Sequence, residues 1–121
     1  MKYMLLIYDD TLVWEKFSDA ERAKGMELYM KFTQEVKNGG HYVASNQLQP
    51  ASVATTVRER DGKRLVTDGP YAETREQLGG YYMIEAKNLD EAIAIAAKVP
   101  SAQWGAVEVR PIVERPAQAT A

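Results

Sequence analysis

The 121-residue chain has no cysteine and a single histidine, His41. Without thiols it forms no disulfide, gives no thiolate to a metal and offers no cysteine nucleophile. A lone imidazole makes no metal site by itself. No spacing between His41 and the carboxylates of Asp9, Asp10, Asp68 or Glu73 matches a recognised ligand pattern, so no metal is expected. Long apolar runs are lacking too: Tyr3 to Ile7 is much too short for a membrane span or a signal-peptide core. Neither sign of charge dominates, since 15 basic and 17 acidic residues give a formal net charge of −2, and a phosphate backbone would find no basic field. Gly39-Gly40 and Gly79-Gly80 fit neither a Gly-x-Gly-x-x-Gly nor a Walker spacing, so no phosphate loop is read and no cofactor is expected. Together these absences predict a cytoplasmic protein that contacts neither nucleic acid nor membrane.

What is present suits one α+β domain over residues 1–113, with a flexible tail at 114–121. Apolar residues make up 45% of the chain and charged residues 26%, enough to bury a single core at this length. Lys2 to Tyr8 reads as a central strand, and Asp9-Asp10-Thr11 opens a loop containing Trp14 and Phe17. Ser18-Asp19-Ala20-Glu21 is a capping box, so a helix starts there. Ala23, Met26, Tyr29, Met30, Thr33 and Val36 form its expected packing stripe, and Asn38-Gly39-Gly40 ends it. A second strand spans His41 to Gln47. The chain from Val53 to Thr67 reads as a hairpin turning at Asp61-Gly62, which pairs Arg60 with Lys63, Glu59 with Arg64, Arg58 with Leu65 and Val57 with Val66. A strand from Gly80 to Ala86, a helix opened by Asn88 and stopped by Pro100, and a strand from Val107 to Val113 complete the order.

With the hairpin set aside as an insertion, the pattern is βαβ-βαβ, the ferredoxin-like arrangement with both helices on one face of an antiparallel sheet. The other face then needs a cover, and Tyr3, Tyr81, Met83, Val107 and Val109 are its candidate residues. A symmetric homodimer would supply that cover.

Candidate chemistry centres on Asp68-Gly69-Pro70-Tyr71 at a strand exit. Asp68 could serve as a general base if burial raised its pKa, or could cap its own turn, where Gly69 would supply positive φ. His41 is the other catalytic candidate, as the one side chain that titrates near neutrality unaided, against a plain strand-edge role. Glu73, Arg75 and Glu76, and similarly Arg110, could grip a charged ligand or remain solvated charges or dimer contacts, with Arg110 also a partner for Asp68 or Glu73. Tyr8 and Tyr71 would line an amphipathic cavity lying between sheet and helices.

The chain resembles the YCII-related family, and within it the DGPF-domain branch. The resemblance rests on Leu5-Leu6-Ile7-Tyr8, Thr56-Val57-Arg58, Asp61-Gly62-Lys63, the run from Val66 through Asp68-Gly69-Pro70-Tyr71 to Tyr82, Leu89-Asp90-Glu91-Ala92 and Val107-Glu108-Val109-Arg110-Pro111. It implies a dimeric α-β barrel. Tyr71 stands where the branch has phenylalanine. The wider family's proposed pair, a histidine on the first helix and an aspartate after the second, is not matched, since Gly25-Met26-Glu27 and Val99-Pro100 occupy those places. Two functional readings follow. One is a cofactor-independent small-molecule binder or enzyme with its pocket near the Asp68–Tyr71 turn. The other is a non-catalytic regulatory or interaction module, which the branch's association with sigma factors makes plausible.

Overall fold

In the computed structural model, which describes residues 1–115, the chain folds as β1 (Lys2–Asp10), α1 (Thr11–Glu15), α2 (Asp19–Asn38), β2 (Tyr42–Gln47), β3 (Thr55–Arg60), β4 (Lys63–Asp68), β5 (Glu76–Glu85), α3 (Leu89–Ala96) and β6 (Gly105–Pro111). Short 3₁₀ turns cover Ala51–Val53 and Pro100–Gln103. Four strands form an antiparallel sheet in the order β2-β5-β1-β6, and β3 and β4 form a separate two-stranded ribbon. Each outer strand reaches the centre by a crossover through a helix, so this is a ferredoxin-like α+β fold with an inserted hairpin. Most of the expected tail lies outside the described residues, although Glu114 is tied back by accepting the Lys2 backbone N–H at 2.8 Å.

Local chemistry sets the boundaries. Ser18 and Glu21 form the capping box, with the Glu21 N–H donating to Ser18 Oγ at 3.1 Å and the Ser18 N–H to Glu21 Oε1 at 3.0 Å. The expected loop after β1 instead begins with the five-residue α1, because the Asp10 carboxylate accepts the Leu12 N–H and nucleates a turn. In the hairpin, Asp61 and Gly62 both adopt positive φ, the requirement of the primed turn, and all four predicted cross-strand pairs form. Arg64 and Glu59 approach to 3.8 Å.

The core lies between the sheet and the helices. Tyr3, Leu5 and Ile7 of β1 and Tyr82 and Ile84 of β5 meet Phe32 and Val36 of α2, Ala92 and Ala96 of α3, and Val99. Two expectations fail here. The buried stripe of α2 is Gly25, Phe32 and Val36 with half-buried Tyr29, whereas Met26 and Met30 are exposed. Those methionines sit one residue, about 100°, off the line the sheet selects, and helical spacing alone does not say which parallel line is covered. The parity of the sheet also divides the residues proposed for its uncovered side. Tyr81 and Met83 lie there, but Tyr3 is buried in the core and Val107 and Val109 pack against it. The open face is instead built of Met4, Leu6 and Tyr8, flanked by Tyr81 and Met83 on β5 and by Glu108 and Arg110 on β6.

Candidate functional site

At the end of this open face, where β1 leaves the sheet, an open depression of about 740 Å³ is lined by Tyr8, Asp10, Thr74, Arg75, Glu76, Ala106 and Glu108. Backbone register brings these segments together. Tyr8 pairs with Ala106 on one side and with Leu78 on the other, next to a bulge in which β5 takes one extra residue, Gly79. Bulges bend a strand and re-aim its side chains, and this one adjoins Tyr8. Gly105 begins β6 so close to β1 that a Cβ there would stand 2.1 Å from the Tyr8 carbonyl oxygen, so no larger residue fits.

Two ion pairs shape the polar wall. Arg75 donates its Nε–H to Asp10 Oδ2 at 2.8 Å, while Asp10 Oδ1 caps α1. The Thr11 N–H donates to the Arg75 carbonyl at 3.3 Å, locking the 72–76 loop against the end of β1. Desolvation would push the Asp10 carboxyl up, but the Arg75 hydrogen bond, the Leu12 amide and the guanidinium charge together outweigh it and hold the pKa below the ordinary value. Across the depression, Glu108 binds Arg110 on its own strand and accepts the Tyr8 hydroxyl at 3.4 Å. Burial, and then the Glu108 charge, raise the Tyr8 pKa, so the phenol keeps its proton as a donor.

The candidate residues are not all gathered. Tyr8 and Arg75 line the depression, and Arg110 stands beside it through Glu108. Arg110 pairs with neither Asp68 nor Glu73 as expected, because β6 directs it to the same face as Glu108 two residues before it. These side chains project away from the helices, so the cavity expected between sheet and helices is instead a depression on the opposite face. Tyr71 is 81% exposed and does not line the depression. Asp68, at the end of β4, is exposed, and among the described residues its carboxylate has no hydrogen-bond partner. Gly69 has φ 101°, so the turn does require glycine there. Glu73 is exposed. His41 lies elsewhere, after α2, with Nδ1 2.8 Å from the Glu85 carbonyl oxygen and 3.8 Å from Glu91. Among the described residues no group of three or more His, Cys, Asp or Glu side chains is arranged to hold a metal.

The sequence reading missed Asp10 and Glu108 as site residues, and it missed a polar cluster on the covered face. There the Tyr29 hydroxyl lies 2.5 Å from Oγ of Ser101, a fully buried serine. Burial drives the Tyr29 pKa to about 12; hydrogen bonds from Ser101 oppose the shift and the nearby Asp9 charge adds to it. Asp9 Oδ1 and Trp104 Nε1 are buried without a hydrogen-bond partner among the described residues. Helix α2 and the segment after α3, where the resemblance would set a histidine and an aspartate, are thus joined by a tyrosine and a serine.

Sheet order, crossovers and inserted hairpin define the class, a ferredoxin-like domain with one sheet face open. Residues 1–115 match the YCII-related domain, and the chain belongs to that family. It is also 35% identical over 114 residues to an uncharacterized protein of Rhizobium meliloti (strain 1021), covering 93% of this chain and 92% of that one.

Proposed function

We propose that this protein is a homodimeric member of the DGPF-type branch that binds a small organic molecule, without a resident cofactor, in the depression beside the Asp68–Tyr71 turn. The observation that carries the reading is the convergence of Tyr8, Arg75, Glu76 and Glu108, from three separate stretches of chain, on one concavity of ligand size. Three carboxylates line it against one guanidinium, and Asp10 already occupies the Nε of that guanidinium. The charge balance favours a neutral or cationic ligand. Such a molecule would donate a hydrogen bond to the Glu76 carboxylate or the Tyr8 oxygen, accept one from the remaining Arg75 donors, and lay its apolar part on Ala106 and the Tyr8 ring. Asp68, Tyr71 and Glu73, which precede the lining residues Thr74 to Glu76 in the chain, would supply its rim. The open sheet face of Met4, Leu6, Tyr81 and Met83 supports the homodimer, since stacking two such faces about a two-fold axis would cover both.

Thermal stabilisation by panels of uncharged, amine-bearing and carboxylate-bearing small molecules tests the binding. A ligand at about 100 times its Kd adds about 2.7 kcal/mol, a rise in Tm of roughly 10 °C for a domain of this size. Hits are expected among the first two panels, and they should weaken in Tyr8→Phe, Arg75→Ala and Asp68→Asn. Stabilisation that persists undiminished in all three variants would place the ligand elsewhere.

A further inference from the structure

The β3–β4 ribbon is anomalous in the isolated chain. Every residue of β4 and nearly every residue of β3 is exposed, and the two strands make close contact almost solely with each other. Yet one side carries Val57 opposite Val66, each 60% exposed, and the other carries Leu65. A lone two-stranded ribbon is marginal in water and gains independent stability only when packed against something. Its base is well anchored, the Gly69 N–H donating to the Ala54 carbonyl at 2.7 Å and Thr56 Oγ1 to the Gly69 carbonyl at 2.8 Å. It is therefore an anchored arm with little packed under it among the described residues.

We infer that the arm crosses onto a second copy of this chain and completes the partner's depression, with Arg58 of the partner subunit set against Glu76. The inference rests on the homodimer proposed above. Charge identifies the occupant. Residues 58–64 carry four cations against two anions, and Arg58 has no ion pair among the described residues. The depression has the opposite excess, and the Glu76 carboxylate is the lining acid without a partner among the described residues. Reach agrees. Six residues per strand extend the arm about 20 Å, and four strands about 4.8 Å apart make a sheet about 14 Å across. The arm joins β5 through residues 69–75, of which Thr74 and Arg75 line the depression, so a two-fold axis that stacks the open faces also carries each arm toward the other copy. One operation thereby covers the sheet face, Leu65 on the Arg58 side of the arm, and the unpaired charges.

Sedimentation equilibrium of the full chain at micromolar concentration and about 0.1 M salt tests this without any ligand. Arg58→Glu and Glu76→Arg should each weaken dimerisation about tenfold, and the double reversal should return to within about threefold of the parent. Leu65→Asp, on the Arg58 side of the arm, should weaken it at least as much while leaving the monomer folded, because that side chain is exposed in the single chain. Met83→Glu serves as the reference, since it strikes the sheet face and not the arm. Unchanged dimerisation in the arm variants, with loss in Met83→Glu, would overturn the arm and leave the homodimer standing. Failure of the double reversal to recover would overturn the Arg58–Glu76 contact. A parent chain that sediments only as a 13.6 kDa monomer would overturn arm and homodimer together while leaving the ligand test untouched.

Discussion

The two faces of the central sheet share the same strands and almost the same composition of large apolar side chains, yet they are in different physical states. Toward the helices, Leu5 and Ile84 are completely buried and their neighbour Tyr3 nearly so. Toward solvent, Leu6 and Met83 are only half-buried, although they stand one residue along the same backbone. Burial therefore follows from what the connections lay over each face, not from the residues' hydrophobicity. The same contrast separates the polar groups. On the covered side Tyr29 and Ser101 face each other within the fold, whereas on the open side Asp10, Arg75, Glu108 and Arg110 pair at the edge of water.

Truncating neighbouring leucines breaks or sharpens this contrast most strongly. Leu5→Ala removes a fully buried side chain and should cost about 2–5 kcal/mol in urea unfolding. Leu6→Ala should cost under about 1 kcal/mol in dilute solution, where the open face is uncovered. Any larger cost should grow with protein concentration, as expected of a face that a second copy covers. Equal, concentration-independent costs at both positions would erase the distinction between the faces.

Alkaline pH probes the covered side next. The Tyr29 pKa of about 12 lies above the ordinary value of 10, so folding favours the protonated phenol. The stabilisation is fully present below about pH 10 and is lost as pH rises toward 12, a change of roughly 2 kcal/mol. Tyr29→Phe should abolish that share of the alkaline loss, leaving a flatter stability curve above pH 10. At pH 8 the same variant should be about 1–3 kcal/mol less stable than the parent, because Ser101 Oγ loses its partner.

Local signals carried much of the fold. The Asp61-Gly62 turn fixed the hairpin pairings because turn geometry leaves one register, and the Ser18 box marked a helix start through contacts three residues apart. Signals that depend on distant packing were illegible. Met26 and Met30 looked like core because nothing in a helical repeat reports which of two adjacent stripes meets the sheet. Val107 and Val109 looked like open-face residues because alternation leaves the sign of the parity free. The site divides in the same way. Tyr8, Arg75 and Arg110 could be picked out by residue type, but Asp10 and Glu108 become site residues only through partners 65 and 100 positions away.

The smallest effect should fall on the open side, at Asp10. Its carboxyl titrates below the ordinary range, so whatever stability it lends is present above the ordinary carboxylate pKa and disappears as pH falls through the lowered value. Carboxyl NMR should show this titration moving upward in Arg75→Ala. The movement should be incomplete, because the Leu12 amide still donates to the other oxygen. Global stability should hardly change, since the guanidinium is two-thirds exposed and solvent screens the pair. If Arg75→Ala instead destabilised the fold as much as Tyr29→Phe, the Asp10–Arg75 pair would belong with the buried chemistry of the covered face. The 72–76 loop would then be a structural strut, and the depression would lose the free guanidinium donors that a ligand needs.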